Sequence, residues 1–166
     1  MLLITLNGAD RPGLVQKLSD IVAKYHANWE QSRMLHLSGR FVGILEVHVL
    51  EDKAHGLIKE LRELGDLELT IAEGSVDPGA AHFYQLEVVG ADAPGIVSDV
   101  FAVVAGAGAN VESLNTGVEA APDSGIILFR ARARLGASIS IDLAALRSEL
   151  EAISDDLVVT LDVDSE

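Results

Sequence analysis

Apolar positions along this chain change their spacing in a fixed order. Leu2 to Leu6 form a short apolar run that the Ala9-Asp10-Arg11-Pro12-Gly13 turn ends, and Leu14, Val15, Leu18, Ile21, Val22 and Tyr25 then recur at the spacing of one helix face. Strand is followed by helix. Trp29 to Leu37 and Phe41 to Leu50 are rich in β-branched, aromatic and long apolar residues and are parted by Ser38-Gly39, the mark of a hairpin. Asp52 is placed to cap a second helix with apolar positions at Ala54, Leu57, Ile58, Leu61 and Leu64, after which Leu67, Leu69 and Ile71 alternate as a strand. The order is βαββαβ.

The order then recurs. Phe83 to Val89 reads as a strand, and Ile96, Val97, Val100, Val103 and Val104 as a helix. Val111 to Val118 and Ile126 to Leu135 read as strands joined by the Pro122-Asp123-Ser124-Gly125 turn. Leu143, Leu146, Leu150 and Ile153 mark a helix for which Ser140 is the expected cap, before Leu157, Val159 and Leu161 alternate. Shifting the sequence by 82 residues aligns Gly8-Ala9-Asp10-Arg11-Pro12-Gly13-Leu14-Val15 with Gly90-Ala91-Asp92-Ala93-Pro94-Gly95-Ile96-Val97, and the register carries on to Ala27-Asn28 and Ala109-Asn110. The two halves are copies of one unit. The reading places a first domain at 1–76, a linker at 77–81 and a second domain at 82–166. Right-handed crossovers make each βαββαβ unit a four-stranded antiparallel sheet with both helices on one face, an α+β, ferredoxin-like fold. Such thin units, with a sheet face left free, favour association, and a homodimer is expected.

Composition narrows the chemistry. The 166 residues carry 12 Lys plus Arg against 26 Asp plus Glu, a formal net charge of −14, and no cysteine. A surface this acidic repels phosphate, which argues against direct binding of nucleic acid or anionic membranes. Disulfides and thiolate sites are excluded, no apolar run approaches the roughly 20 residues of a membrane span, and the start lacks a basic leader, so the expected location is the cytoplasm. No serine lies in a nucleophile elbow, so no catalytic residue is assigned, and no cofactor is implied. The histidines lack metal-binding spacing, although His36 and His48 on neighbouring strands are candidates to approach each other. Arg130, Arg132 and Arg134 share one face of a strand, either balanced by nearby acids or open to an acidic partner.

The most tightly repeated feature is the turn before each first helix. Pro12 fixes φ at the helix entry, Gly13 lets the backbone pass close to whatever lies above it, and the N–H groups of Gly13, Leu14 and Val15 face a carboxylate-sized space. A zwitterionic amino acid also needs an acceptor for its ammonium, which Asp10 or Asn28 can supply. Asp92, Gly95, Ile96, Val97 and Asn110 repeat that set. A plainer role is equally available, with Asp10 and Asp92 as helix caps and Asn28 and Asn110 as left-handed helix stops.

The D-x-P-G turn before the first helix, the Asn opening the second strand and the βαββαβ order resemble the ACT domain in both halves. Two such units in tandem resemble the glycine cleavage system transcriptional repressor group. The resemblance implies a non-enzymatic regulatory protein that binds glycine or a similar small amino acid where ACT domains lie side by side, and that modulates a separate DNA-binding transcription regulator. It implies ligand contacts from Asp10, Gly13, Leu14, Val15 and Asn28, and from Asp92, Gly95, Ile96, Val97 and Asn110. Asn7 and Arg11 join the first set beside Pro12, whereas their counterparts Val89 and Ala93 mark the second site as weakened. The alternatives are a detached regulatory subunit of an amino-acid or one-carbon enzyme, or a structural dimerisation module.

Overall fold

The computed structural model describes residues 1–74, 79–122 and 124–164, and these divide into two compact units, Met1–Asp77 and Pro78–Glu166. Residues 77 and 78 of the expected linker lie outside the described residues, as does Asp123 of the expected turn.

In unit 1, β1 (Leu2–Ala9), α1 (Leu14–Lys24), β2 (Asn28–Leu37), β3 (Arg40–His48), α2 (Glu51–Arg62) and β4 (Leu67–Glu73) follow in sequence. The sheet order is β2-β3-β1-β4, and every pairing is antiparallel. Unit 2 repeats this with β5 (His82–Ala91), α3 (Ile96–Gly106), β6 (Asn110–Ala120), β7 (Ile127–Ala137), α4 (Leu143–Glu151) and β8 (Val158–Val163), in sheet order β6-β7-β5-β8. This is the tandem ferredoxin-like α+β architecture.

Each core is built from one face of the sheet against two helices. Leu2, Ile4 and Leu6 of β1 and Leu45 and Val47 of β3 meet Leu14, Leu18 and Val22 of α1 and Leu57 and Leu61 of α2. Leu86 and Val88, with the small Ala131 and Ala133, meet Ile96, Val100, Val104, Leu146 and Leu150 in unit 2. Period-2 burial on the strands and 3.6-residue burial on the helices come from the same requirement, that one face leaves water. The central strand of each unit runs past the expected end because both its edges are paired. Asn7 and Gly8 bond to β3 and β4 regardless of their weak strand preference.

Two expected caps are corrected. Leu50, not Asp52, occupies the cap position of α2, with no side-chain bond, and Asp52 sits inside the first turn where the helix dipole favours its charge. Asp142, not Ser140, caps α4, its Oδ1 accepting the N–H groups of Ala144 and Ala145 at 3.0 Å each. Asp142→Ala is expected to destabilise unit 2 by about 1 kcal/mol in urea unfolding, and Ser140→Ala to leave it unchanged.

Candidate functional site

The loop between β1 and α1 is fixed from both sides. The Asp10 N–H donates to the Gly39 carbonyl at 3.1 Å, tying the loop to the β2–β3 hairpin. On the other side the α2–β4 turn presses onto β1, where a Cβ at Gly8 would stand 2.5 Å from the Asp66 carbonyl oxygen. A residue other than glycine forces that turn away. Unit 2 repeats both features. Asp92 N–H bonds Ile127 O at 2.9 Å, and a Cβ at Gly90 would meet Leu157 at 2.7 Å. The repeated Gly8 and Gly90 are therefore packing requirements.

Gly13 and Gly95 are needed for backbone conformation, with φ of 87° and 94° as they open α1 and α3. Neither helix start has a side-chain cap, so the role of cap is withdrawn for Asp10 and Asp92. Among the described residues, no acceptor bonds the N–H groups of Gly13, Leu14 or Val15, and the space beside Gly13 Cα is open. The Leu14 side chain is buried in the core, so only its backbone faces the loop, while Val15 is 46% exposed. Near the Asp10 carboxylate lies His36, whose Nε2 is 3.9 Å away and accepts the Gly39 N–H at 3.1 Å, the bond of a neutral imidazole.

Charge separates the two loops. In unit 1, Arg11 Nη1 and Lys17 Nζ donate to the two carboxylate oxygens of Asp66 at 2.9 and 3.1 Å, so two cations from either side of the Gly13 helix start meet at one carboxylate. The Lys17 hydrogen bond is the chief cause holding the Asp66 carboxyl below its ordinary range. At the positions equivalent to Arg11 and Lys17, unit 2 has Ala93 and Asp99. Asp99 turns its Oδ2 to 3.9 Å from where a Gly95 Cβ would be, and the Ile96 N–H is bonded to Ala93 O at 3.3 Å. The α3 start is thus faced by a carboxylate of its own chain. Asp156, at the turn that matches Asp66, spends its oxygens on Ser154 Oγ and on the Ala91 N–H, and these bonds lower its pKa in that order.

Not all candidate residues meet. Asn28 pairs with His48, while Asp10 adjoins the Arg40 end of β3, which puts the two at opposite ends of the sheet, about 25 Å apart at 3.4 Å per residue. Asn110, opposite Gly136, stands equally far from Asp92. Neither asparagine is the helix stop. His26 and Gly108 take the positive φ values, 51° and 81°, after α1 and α3. Asn28 and Asn110 instead donate to Glu30 and Glu112 at 2.9 and 3.4 Å, across a bulge that both units share. Asn7 is engaged as well, its Oδ1 accepting from Arg40 at 2.9 Å and its Nδ2 donating to Glu68 at 3.3 Å.

The remaining candidates resolve simply. His36 pairs with Phe41 and His48 with Asn28, at opposite ends of the hairpin, so they do not approach each other. Arg130 and Arg132 bond Glu87, Arg130 also bonds Glu119, and Arg134 bonds Asp164 at 2.7 Å, so this stripe is balanced by acids of its own sheet. No helix among the described residues is long and apolar enough to cross a membrane.

The ACT-domain family model matches residues 1–72. The chain belongs to the ACT-domain family. It is 30% identical to a protein of unassigned function from Galdieria sulphuraria, whose crystal structure superposes with a TM-score of 0.81 over 99% of this chain and 98% of that one. A candidate glycine cleavage system transcriptional repressor of known structure has the same fold, at 20% identity and a TM-score of 0.70, over 99% of this chain and 97% of that one. A comparison with curated proteins finds no match. Both units of the chain are built on one repeated module.

The ion pairs around Asp66 set a pH dependence. Its folded-state pKa is depressed, so its contribution is present above the unfolded carboxylate pKa and is lost as pH falls through the folded value. Asp66→Asn is expected to lower the urea midpoint of unit 1 at pH 7, with the difference from wild type shrinking as the pH drops below the carboxylate range.

Proposed function

We propose that this ACT protein is a non-enzymatic sensor in which the β1–α1 loop of unit 1 binds the carboxylate of glycine or a similar small amino acid. What supports this reading is the start of α1, where three N–H groups without acceptors among the described residues adjoin Arg11 and Lys17, with the Asp10 carboxylate uncommitted to capping. The amides and cations hold the anionic end and Asp10 the ammonium. Asn28 reaches such a ligand only from a different ACT unit, and a second copy of the chain is the proposed source, which gives the homodimer a function. Unit 2 is a structural partner, because Asp99 stands where Lys17 does and repels a carboxylate.

The proposed output is contact with a DNA-binding transcription regulator. A net charge of −14 suits a chain that acts on DNA through another protein, and the repressor description of the similar solved structure makes glycine metabolism the first place to look. Ligand binding at a seam between units shifts their packing only as far as it binds the two arrangements differently.

The size of the ligand bounds its affinity. Glycine has about five heavy atoms, so at roughly 1.5 kcal/mol per atom its dissociation constant is a few micromolar at the tightest. In calorimetric titration and thermal unfolding, a saturating amino acid is expected to stabilise the protein, by about 2.7 kcal/mol at a hundredfold excess over the dissociation constant. Asp10→Ala and Lys17→Asp are each expected to remove most of that effect, and Asp99→Ala to leave it intact. Flat titrations across all common amino acids contradict the sensor reading.

A further inference from the structure

The two units differ at one more place, the contact between their helices, and this point is independent of the loop. In unit 1, Tyr25 follows α1 and lays its ring against α2 at Gly56, where a Cβ would come within 2.6 Å of ring atom Cε1. Its hydroxyl donates to Glu60 at 2.9 Å, and Lys24 Nζ donates to the same carboxylate at 2.6 and 2.9 Å. These bonds, Lys24 first and Tyr25 second, hold Glu60 below its ordinary pKa. A phenol and a cation thus close the groove between the helices.

Unit 2 keeps the acceptor and lacks both donors. The ends of α1 and α3 correspond bond for bond, Tyr25 N–H to Ile21 O and Ala107 N–H to Val103 O. The fully buried Leu57 and Leu61 correspond to Leu146 and Leu150, which sets Glu149 at the place of Glu60 and Ala145 at the place of Gly56. Gly106 and Ala107 replace Lys24 and Tyr25. The result is an open hollow of about 240 Å³ whose lining includes Gly106, Ala107, Ala145 and Leu146 together with two carboxylates, Glu149 and Asp142. Glu149 is exposed at the rim and has no hydrogen-bond or ion-pair partner among the described residues.

We infer that this hollow between α3 and α4 binds a small phenolic amine, a single ring whose hydroxyl or ammonium bonds Glu149 as Tyr25 and Lys24 bond Glu60. The volume leaves room for one ring, with its polar groups turned to the two carboxylates. The methyl of Ala145 displaces a ring in the position of Tyr25, so a free ligand sits about 1 Å farther out, which a molecule not tethered to residue 107 is able to do. A carboxylate-bearing ring is refused, because Glu149 and Asp142 both line the hollow and repel a negative charge there.

Tyramine is the probe, followed by saturation-transfer NMR and titration on the full chain. About ten heavy atoms at the efficiency of ordinary small ligands correspond to a dissociation constant of about a millimolar. Glu149→Gln is expected to weaken binding about tenfold, because the amide keeps an acceptor and loses the charge that strengthens the bond. The double variant Ala107→Tyr with Ala145→Gly rebuilds the filled groove of unit 1 and is expected to abolish binding, with Ala145→Leu as a second blocking variant should the first fail to fold. 4-Hydroxyphenylacetate is expected not to bind. Absence of saturation transfer from tyramine at millimolar concentration, or binding that survives both blocking variants or is indifferent to Glu149→Gln, overturns the inference.

Discussion

The architecture of each unit depends on a close approach at the end of its central strand. β1 and β5 are hydrogen-bonded on both edges, and the turn before the last strand crosses them where only glycine leaves room, at Gly8 and at Gly90. A side chain there must push the turn outward, at a typical cost of about 1–3 kcal/mol for overpacking. The approach also sets the loop. It delivers an aspartate from the turn, Asp66 or Asp156, to the point where the chain leaves the strand for the helix.

What each unit does with that aspartate separates them. Asp66 holds Arg11 and Lys17 together, whereas Asp156 bonds its own neighbour Ser154 and the backbone of Ala91. One loop is left with cations and open amides, the other with the carboxylate of Asp99 turned toward it. The same backbone thus presents opposite charge at equivalent places. The two units share one topology, and substitutions at a few exposed positions give their loops different charge. The groove between the helices shows this again, filled by Tyr25 in one unit and open beside Ala107 in the other.

Much of the fold was legible in the sequence, because burial of one face imposes a period that composition cannot hide. Alternation in Leu67, Leu69 and Ile71, or helical spacing in Leu14, Leu18, Ile21 and Val22, needs no partner to be recognised. Cap positions were less legible. Ser140 and Asp142 are both good capping residues two positions apart, and the choice rests on which backbone N–H groups are the first left free. The candidate site was readable only as a set of residue types. Nothing in the spacing of Asp10 and Asn28 reveals that strand pairing carries them to opposite ends of the sheet. Lys17 and Asp99 carried a usable signal, a charge reversal at equivalent positions of the repeat, as did the paired Glu30 and Glu112 beyond the matched segment.

If the first unit is the sensor, the start of α1 holds a carboxylate and the start of α3 does not. Amide proton–nitrogen correlation spectra of the full chain, recorded during a glycine titration, read both starts in one sample. The account predicts saturable shifts at Gly13, Leu14 and Val15 while Gly95, Ile96 and Val97 stay still. Shifts at neither start for any small amino acid, or equal shifts at both, contradict it.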